Sequence, residues 1–115
     1  MQIEIQARGF VLTDTLRNHI DRRLHSSFQY TQRKIHKVVV RLFSVTTSRR
    51  RYIKSCRVQA VVVGLPNVIT EYRGKNFYIA ADTAIQRANR SVGKRLKKLR
   101  NHRRSMTQLP TGSLA

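Results

Sequence analysis

Residues 2–8 (QIEIQAR) alternate apolar and polar side chains, the period of a half-buried strand. Gly9 follows and can turn the chain, and Thr13-Asp14 then supplies a hydroxyl cap beside a carboxylate, the usual start of a helix. Leu16, Ile20, Leu24 and Phe28 recur every four residues and give that helix one apolar stripe. Residues 35–45 (IHKVVVRLFSV) are β-branched and predict a second strand, with Val38, Val40 and Leu42 on one face and Lys37, Val39, Arg41 and Phe43 on the other. A basic loop, residues 46–51, separates it from a third strand at about 53–63, where Cys56, Val58, Ala60 and Val62 share a side. Gly64-Leu65-Pro66-Asn67 is turn chemistry, and a fourth strand at about 68–73 follows.

Gly74-Lys75-Asn76 breaks the strand pattern, and a long helix begins with Asn76 as its cap. Phe77, Ala81, Ala84, Ile85, Ala88, Val92, Leu96 and Leu99 step by threes and fours along it. Roughly 25 residues make a rod of about 37 Å at 1.5 Å per residue. Gly93 interrupts it at a cost of about 1 kcal/mol against Ala. Periodicity is lost from His102 onward, so the tail 102–115, which holds Pro110 and Gly112, is expected to be disordered and the domain to end near residue 101. The order β-α-β-β-β-α predicts an α+β fold: a four-stranded sheet with two helices packed on one face. A right-handed crossover makes the first two strands parallel if they are neighbours, and short links make the other three an antiparallel meander.

Charge changes the picture from fold to function. The 115 residues carry 24 Lys and Arg against 5 Asp and Glu, a formal charge of +19. Carboxylate-driven catalysis has almost nothing to work with, and so basic a surface calls for a polyanionic partner. Disorder is excluded for the body of the chain, because Leu, Ile, Val and Phe make up 32 of the 115 residues, above the roughly one-fifth that marks disordered compositions. Seventeen of the cations are Arg, whose planar fork suits phosphate. The single Cys56 allows no disulfide framework or zinc cluster within the chain. No signal peptide and no run of about 18 apolar residues is visible, so the cytoplasm is expected.

The cations concentrate on the second helix. Arg87, Arg90, Lys94, Lys97 and Lys98 lie along one side, away from the apolar stripe, and no acid occurs after Asp82. A merely solvated face would mix signs at i,i+4 spacing, so the stripe points to nucleic acid. Arg17, Arg22 and Arg23 add charge on the first helix, where Asp21 is placed to pair with Arg17, and Lys75 precedes the second. Arg49, Arg50 and Arg51 form a further basic group on the loop. Tyr52, Tyr72 and Tyr78 are candidates for stacking on bases, although Tyr78 suits packing near the helix start better. No metal-ligand spacing joins His19, His25, His36, His102 and Cys56, no phosphate-binding glycine loop exists, and Cys56 reads as a small core residue. Neither an enzyme, a metal site, a cofactor nor a small-molecule substrate is therefore expected.

The opening MQIEIQARGFVLTDTLRNHI and the segment GKNFYIAADTAIQRANRSVGKRLKKLR resemble the bacterial hibernation-promoting factor / ribosome-associated inhibitor family, also labelled sigma-54 modulation proteins. The resemblance covers about residues 1–101. Its most specific piece is residues 76–82, similar to the family's Asp-Met-Tyr-Ala-Ala-Ile-Asp; Tyr78, Ala80 and Asp82 match, and Asn76 replaces the usual Asp. The resemblance implies a fold similar to double-stranded-RNA-binding domains. It also implies binding to small-subunit rRNA in the channel used by mRNA and tRNA, inhibition of translation in stationary phase or stress, and no enzymatic activity. The family's basic helix residues fall on Arg87, Arg90, Lys94 and Lys98. The expected RNA-binding set is thus Arg22, Arg23, Lys75, Arg87, Arg90, Lys94, Lys97 and Lys98 in a protein that is monomeric off the ribosome. The alternatives are a non-specific RNA- or DNA-binding protein and a transcription modulator acting through protein contacts.

Overall fold

The computed structural model describes the backbone of residues 1–46 and 52–114, and their side chains except at 52 and 104–114. The basic loop with Arg49–Arg51 lies outside the described residues. In chain order the elements are β1 (Gln2–Arg8), α1 (Asp14–Ser27), a 3-10 turn (Gln32–Lys34), β2 (Ile35–Thr46), β3 (Tyr52–Val62), β4 (Val68–Gly74) and α2 (Phe77–Leu114). The strands lie side by side in sequence order, with β1 parallel to β2 and the other pairs antiparallel. This is the expected mixed four-stranded sheet.

One face of the sheet is apolar because of simple alternation. Val38, Val40 and Leu42 of β2 stand beside Val58, Ala60 and Cys56 of β3, all fully buried. Leu16, Ile20, Leu24 and Phe28 close over them from α1. Burying side chains of this size stabilises by about 2 kcal/mol each. The cap of α1 is real: the Leu16 amide donates to Thr13 Oγ1 at 3.2 Å, satisfying one of the donors a helix start leaves over. A register shift between Ile35 and Lys37 turns Ile35 into the core.

On α2 the buried residues are small. Ala80, Ala81, Ala84 and Ala88 are fully enclosed, with Phe77 at one end and Ile85 and Val92 farther along. The Tyr78 amide donates to Asn76 Oδ1 at 2.7 Å, so Asn76 caps as expected. Thr70 of β4 donates its hydroxyl to the Ala84 carbonyl at 2.8 Å, a contact only a close-lying helix allows.

The end of α2 differs from expectation. Its backbone is helical through Leu114, longer than the roughly 25 residues that the apolar steps predict. Residues 102–109 contain neither Gly nor Pro, so over that stretch backbone propensity continues the helix after apolar periodicity stops. No helix among the described residues is long and apolar enough to cross a membrane.

Two glycines differ in what they hold up. Gly9 has φ +87°, and a Cβ there would meet the Ser44 carbonyl oxygen at 2.8 Å. Gly93 has open space around its Cβ position. Gly93→Ala should therefore raise stability by about 1 kcal/mol, whereas Gly9→Ala should lower it by about 1 kcal/mol or more. Urea unfolding midpoints of the two variants should move in opposite directions.

Candidate nucleic-acid interface

Arg87, Arg90, Lys94, Lys97 and Lys98 are all exposed on α2. With about 100° between successive residues, they occupy a sector of roughly 100° that borders the buried alanines and turns away from α1. Arg87 is the anchored member: its guanidinium carbon lies 5.1 Å from the centroid of the Tyr72 ring on β4, a cation–π contact. Tyr72 is thereby engaged in holding Arg87, not offered to a base. Among the described residues no carboxylate pairs with any of the five. Arg95 belongs elsewhere: its Nη1 donates to the carbonyls of Pro66 and Asn67 at 3.3 Å each, pinning α2 to the β3–β4 turn.

The other expected cations are not gathered into this stripe. Arg23 Nε lies 3.6 Å from Asp82 Oδ1, and His19 Nε2 lies 2.8 Å from the same oxygen. Both side chains are about one-third to one-half exposed, so the pairs contribute at most about 1 kcal/mol. Tyr78 packs edge-on against His19 with centroids 5.0 Å apart. Asp82 sits about 140° around α2 from Arg87, so this clasp faces α1 while the stripe faces away. Arg22 is exposed on α1. Asp21 is directed at His25, 3.6 Å away, and not at Arg17 as its spacing suggests. Lys75 is exposed ahead of α2, at a cavity of about 470 Å³ shared with Phe10, Lys54 and Phe77. Phe10 and Phe77 stack there at 4.2 Å, with Lys54 Nζ 5.3 Å from the Phe77 centroid.

Residues 3–100 match the family model described as sigma 54 modulation protein / S30EA ribosomal protein. The chain belongs to this family. A structure of a ribosomal subunit interface protein from Coxiella burnetii superposes with a TM-score of 0.73 at 14% identity, covering 84% of this chain and 99% of that one. The N-terminal domain of Thermus thermophilus protein Y superposes with a TM-score of 0.63 at 19% identity, covering 82% and 98% respectively. At such identities these likenesses establish a shared fold. No curated protein matches the chain in sequence.

The residues that most resemble the family are architectural in this member. Tyr78 and Asp82 tie α2 to α1, and Ala80 is enclosed against the sheet. One charged group escapes notice along the sequence. The alternation of β2 puts Arg41 and Phe43 on the face away from the helices, but only the pairing register adds Arg8, Arg57 and Arg73 to them. Among the described residues no three His, Cys, Asp or Glu side chains gather as a metal group.

Cys56 is fully buried, and burial, followed by the carboxylates of Asp82 and Glu71, pushes its thiol up to about 12. A thiol is the weak nucleophile and the thiolate the strong one. Folded protein at pH 8 should therefore leave Cys56 unmodified by a thiol-specific disulfide reagent, and unfolding in guanidinium should release one reactive thiol per chain. Rapid labelling of the folded protein would show that the core opens at Cys56.

Proposed function

We propose that this family member is a cytoplasmic, ribosome-associated hibernation factor that acts by binding and not by catalysis. In this reading α2 lays its basic stripe on phosphates of small-subunit rRNA in the mRNA and tRNA channel, and occupancy inhibits translation under stress or in stationary phase. The observation that supports it best is the stripe: five exposed cations with no described carboxylate among them, on a chain of the S30EA ribosomal family. Successive helical turns rise 5.4 Å, close enough for neighbouring side chains to follow a phosphate backbone. Recognition of this kind reads rRNA shape and backbone in preference to base sequence. Arg22, Arg23 and Lys75 serve as flanking contacts in the same proposal, with Arg23 leaving Asp82 if it is to reach RNA.

The variant Arg87→Ala/Arg90→Ala/Lys94→Ala/Lys98→Ala should stay folded and lose co-sedimentation with small subunits. Wild-type affinity should fall with salt, with a log–log slope of about −4 for five neutralised phosphates. Ribosomes should outcompete bulk duplex DNA at physiological salt. Equal competition by DNA would favour a general nucleic-acid-binding protein, and retained co-sedimentation of the folded variant would remove α2 from the interface.

A further inference from the structure

The open face of the sheet carries a second cationic site that the helical stripe does not use. Two adjacent cross-strand rows define it. Gln6, Arg41, Arg57 and Glu71 stand in one row across β1 to β4, and Arg8, Phe43, Ser55 and Arg73 stand in the next. With strands about 4.8 Å apart, the Cα atoms of four arginines and one phenylalanine fall within an area of roughly 14 Å by 7 Å on this face. Arg41 lies directly opposite Arg57 in the antiparallel pair, an arrangement that destabilises a sheet when nothing neutralises it. Both residues occupy the central strands. The protection that charges give to edge strands does not explain them.

The nearby acids are already engaged. Glu71 Oε1 accepts from Ser55 Oγ at 3.0 Å and from Arg73 Nε at 3.4 Å. Glu4 Oε2 lies 2.7 Å from Lys37 Nζ, and Glu4 Oε1 accepts from Gln6 at 2.6 Å. The Lys37 and Gln6 hydrogen bonds hold the Glu4 carboxyl below its ordinary value. Among the described residues Arg8, Arg41 and Arg57 make no ion pair. Phe43 is only half-buried, and beside it a cavity of about 350 Å³ opens along the β1–β2 seam, lined by Gln6, Ala7, Arg8, Arg41, Leu42 and Phe43.

We infer that this face binds single-stranded RNA, with one base stacked on Phe43 and flanking phosphates held by Arg8, Arg41 and Arg57. The charge is complementary to a polyanion, and the guanidinium fork grips phosphate oxygens in pairs. An aromatic ring on an open sheet among cations stacks any base without regard to sequence. An acidic peptide would satisfy the arginines but has no planar group for Phe43. Double-stranded RNA presents its bases already stacked. The face therefore goes beyond the rRNA contact proposed for α2: it gives the protein a second side for RNA, through the sheet.

The test uses full-length chain carrying Arg87→Gln, Arg90→Gln, Lys94→Gln and Lys98→Gln, so that loss of the helical contact is already present and cannot be confused with loss of this one. The probe is a fluorescein-labelled twelve-nucleotide oligouridine read by anisotropy. Arg41→Gln/Arg57→Gln should weaken binding at least tenfold and reduce the log–log salt slope by about 1.4, the value for two single-strand phosphates. Phe43→Ala should weaken it about fivefold or more, and ultraviolet cross-linking at short wavelength should attach uridine to the peptide containing Phe43. The arginine variant relieves like-charge repulsion, so its melting temperature should not fall, which separates lost binding from lost folding. Unchanged affinity in both sheet variants would overturn the inference. So would competition by polyglutamate equal to that by oligouridine together with no cross-link at Phe43, which would assign the face to an acidic protein segment.

Discussion

The close seat of α2 on the sheet is the constraint from which the rest follows. Four alanines with no exposed surface let the helix approach β3 and β4, and the Thr70 hydroxyl reaches the Ala84 carbonyl at 2.8 Å. Larger side chains at these positions would lift the helix and break that bond. The seat also fixes rotation about the helix axis. With the alanines inward, Asp82 meets α1, Arg95 reaches the β3–β4 turn, and the cationic sector is left facing outward. Packing thereby decides electrostatics: Arg87, at the edge of the seat, lies over Tyr72 of β4, and the lysines farther along the helix are left exposed.

The distribution of acids makes the same point from the other side. The five acids work within the fold. Glu4 binds Lys37, Asp14 sits in the first turn of α1, Asp21 faces His25, Glu71 binds Ser55 and Arg73, and Asp82 holds His19 and Arg23. Among the described residues none forms an ion pair with the outward sector of α2, and Glu71, the cross-strand neighbour of Arg57, is turned to Ser55 and Arg73. The large positive charge is thus concentrated on surfaces where a polyanion can approach, while the places that must pack carry their own counter-charges. Such a protein repels itself when free and gains stability from its partner.

Much of this architecture is legible along the chain because burial imposes periods. The two-residue alternation of β2 and β3 and the four-residue steps of Leu16, Ile20, Leu24 and Phe28 describe the core that forms, to within a residue or two at the ends. What escapes a linear reading depends on partners distant in sequence. Tyr72 looks free to stack on a base until Arg87 lies over it, and Arg23 looks available until Asp82 is beside it. Arg57 is unremarkable until register sets it opposite Arg41. The length of α2 escapes for a different reason: apolar periodicity records burial, and the backbone stays helical beyond Leu99, the last of the apolar steps.

The central claim is that seating α2 through its alanines aims Lys94, Lys97 and Lys98 at ribosomal RNA. Lysine acetylation footprinting of the protein, free and bound to small subunits, measures this directly. The account predicts that Lys94, Lys97 and Lys98 become strongly protected on binding, while Lys34, exposed in the 3-10 turn and outside the proposed contact set, stays as reactive as in the free protein. Equal reactivity of the three α2 lysines in bound and free protein would contradict it.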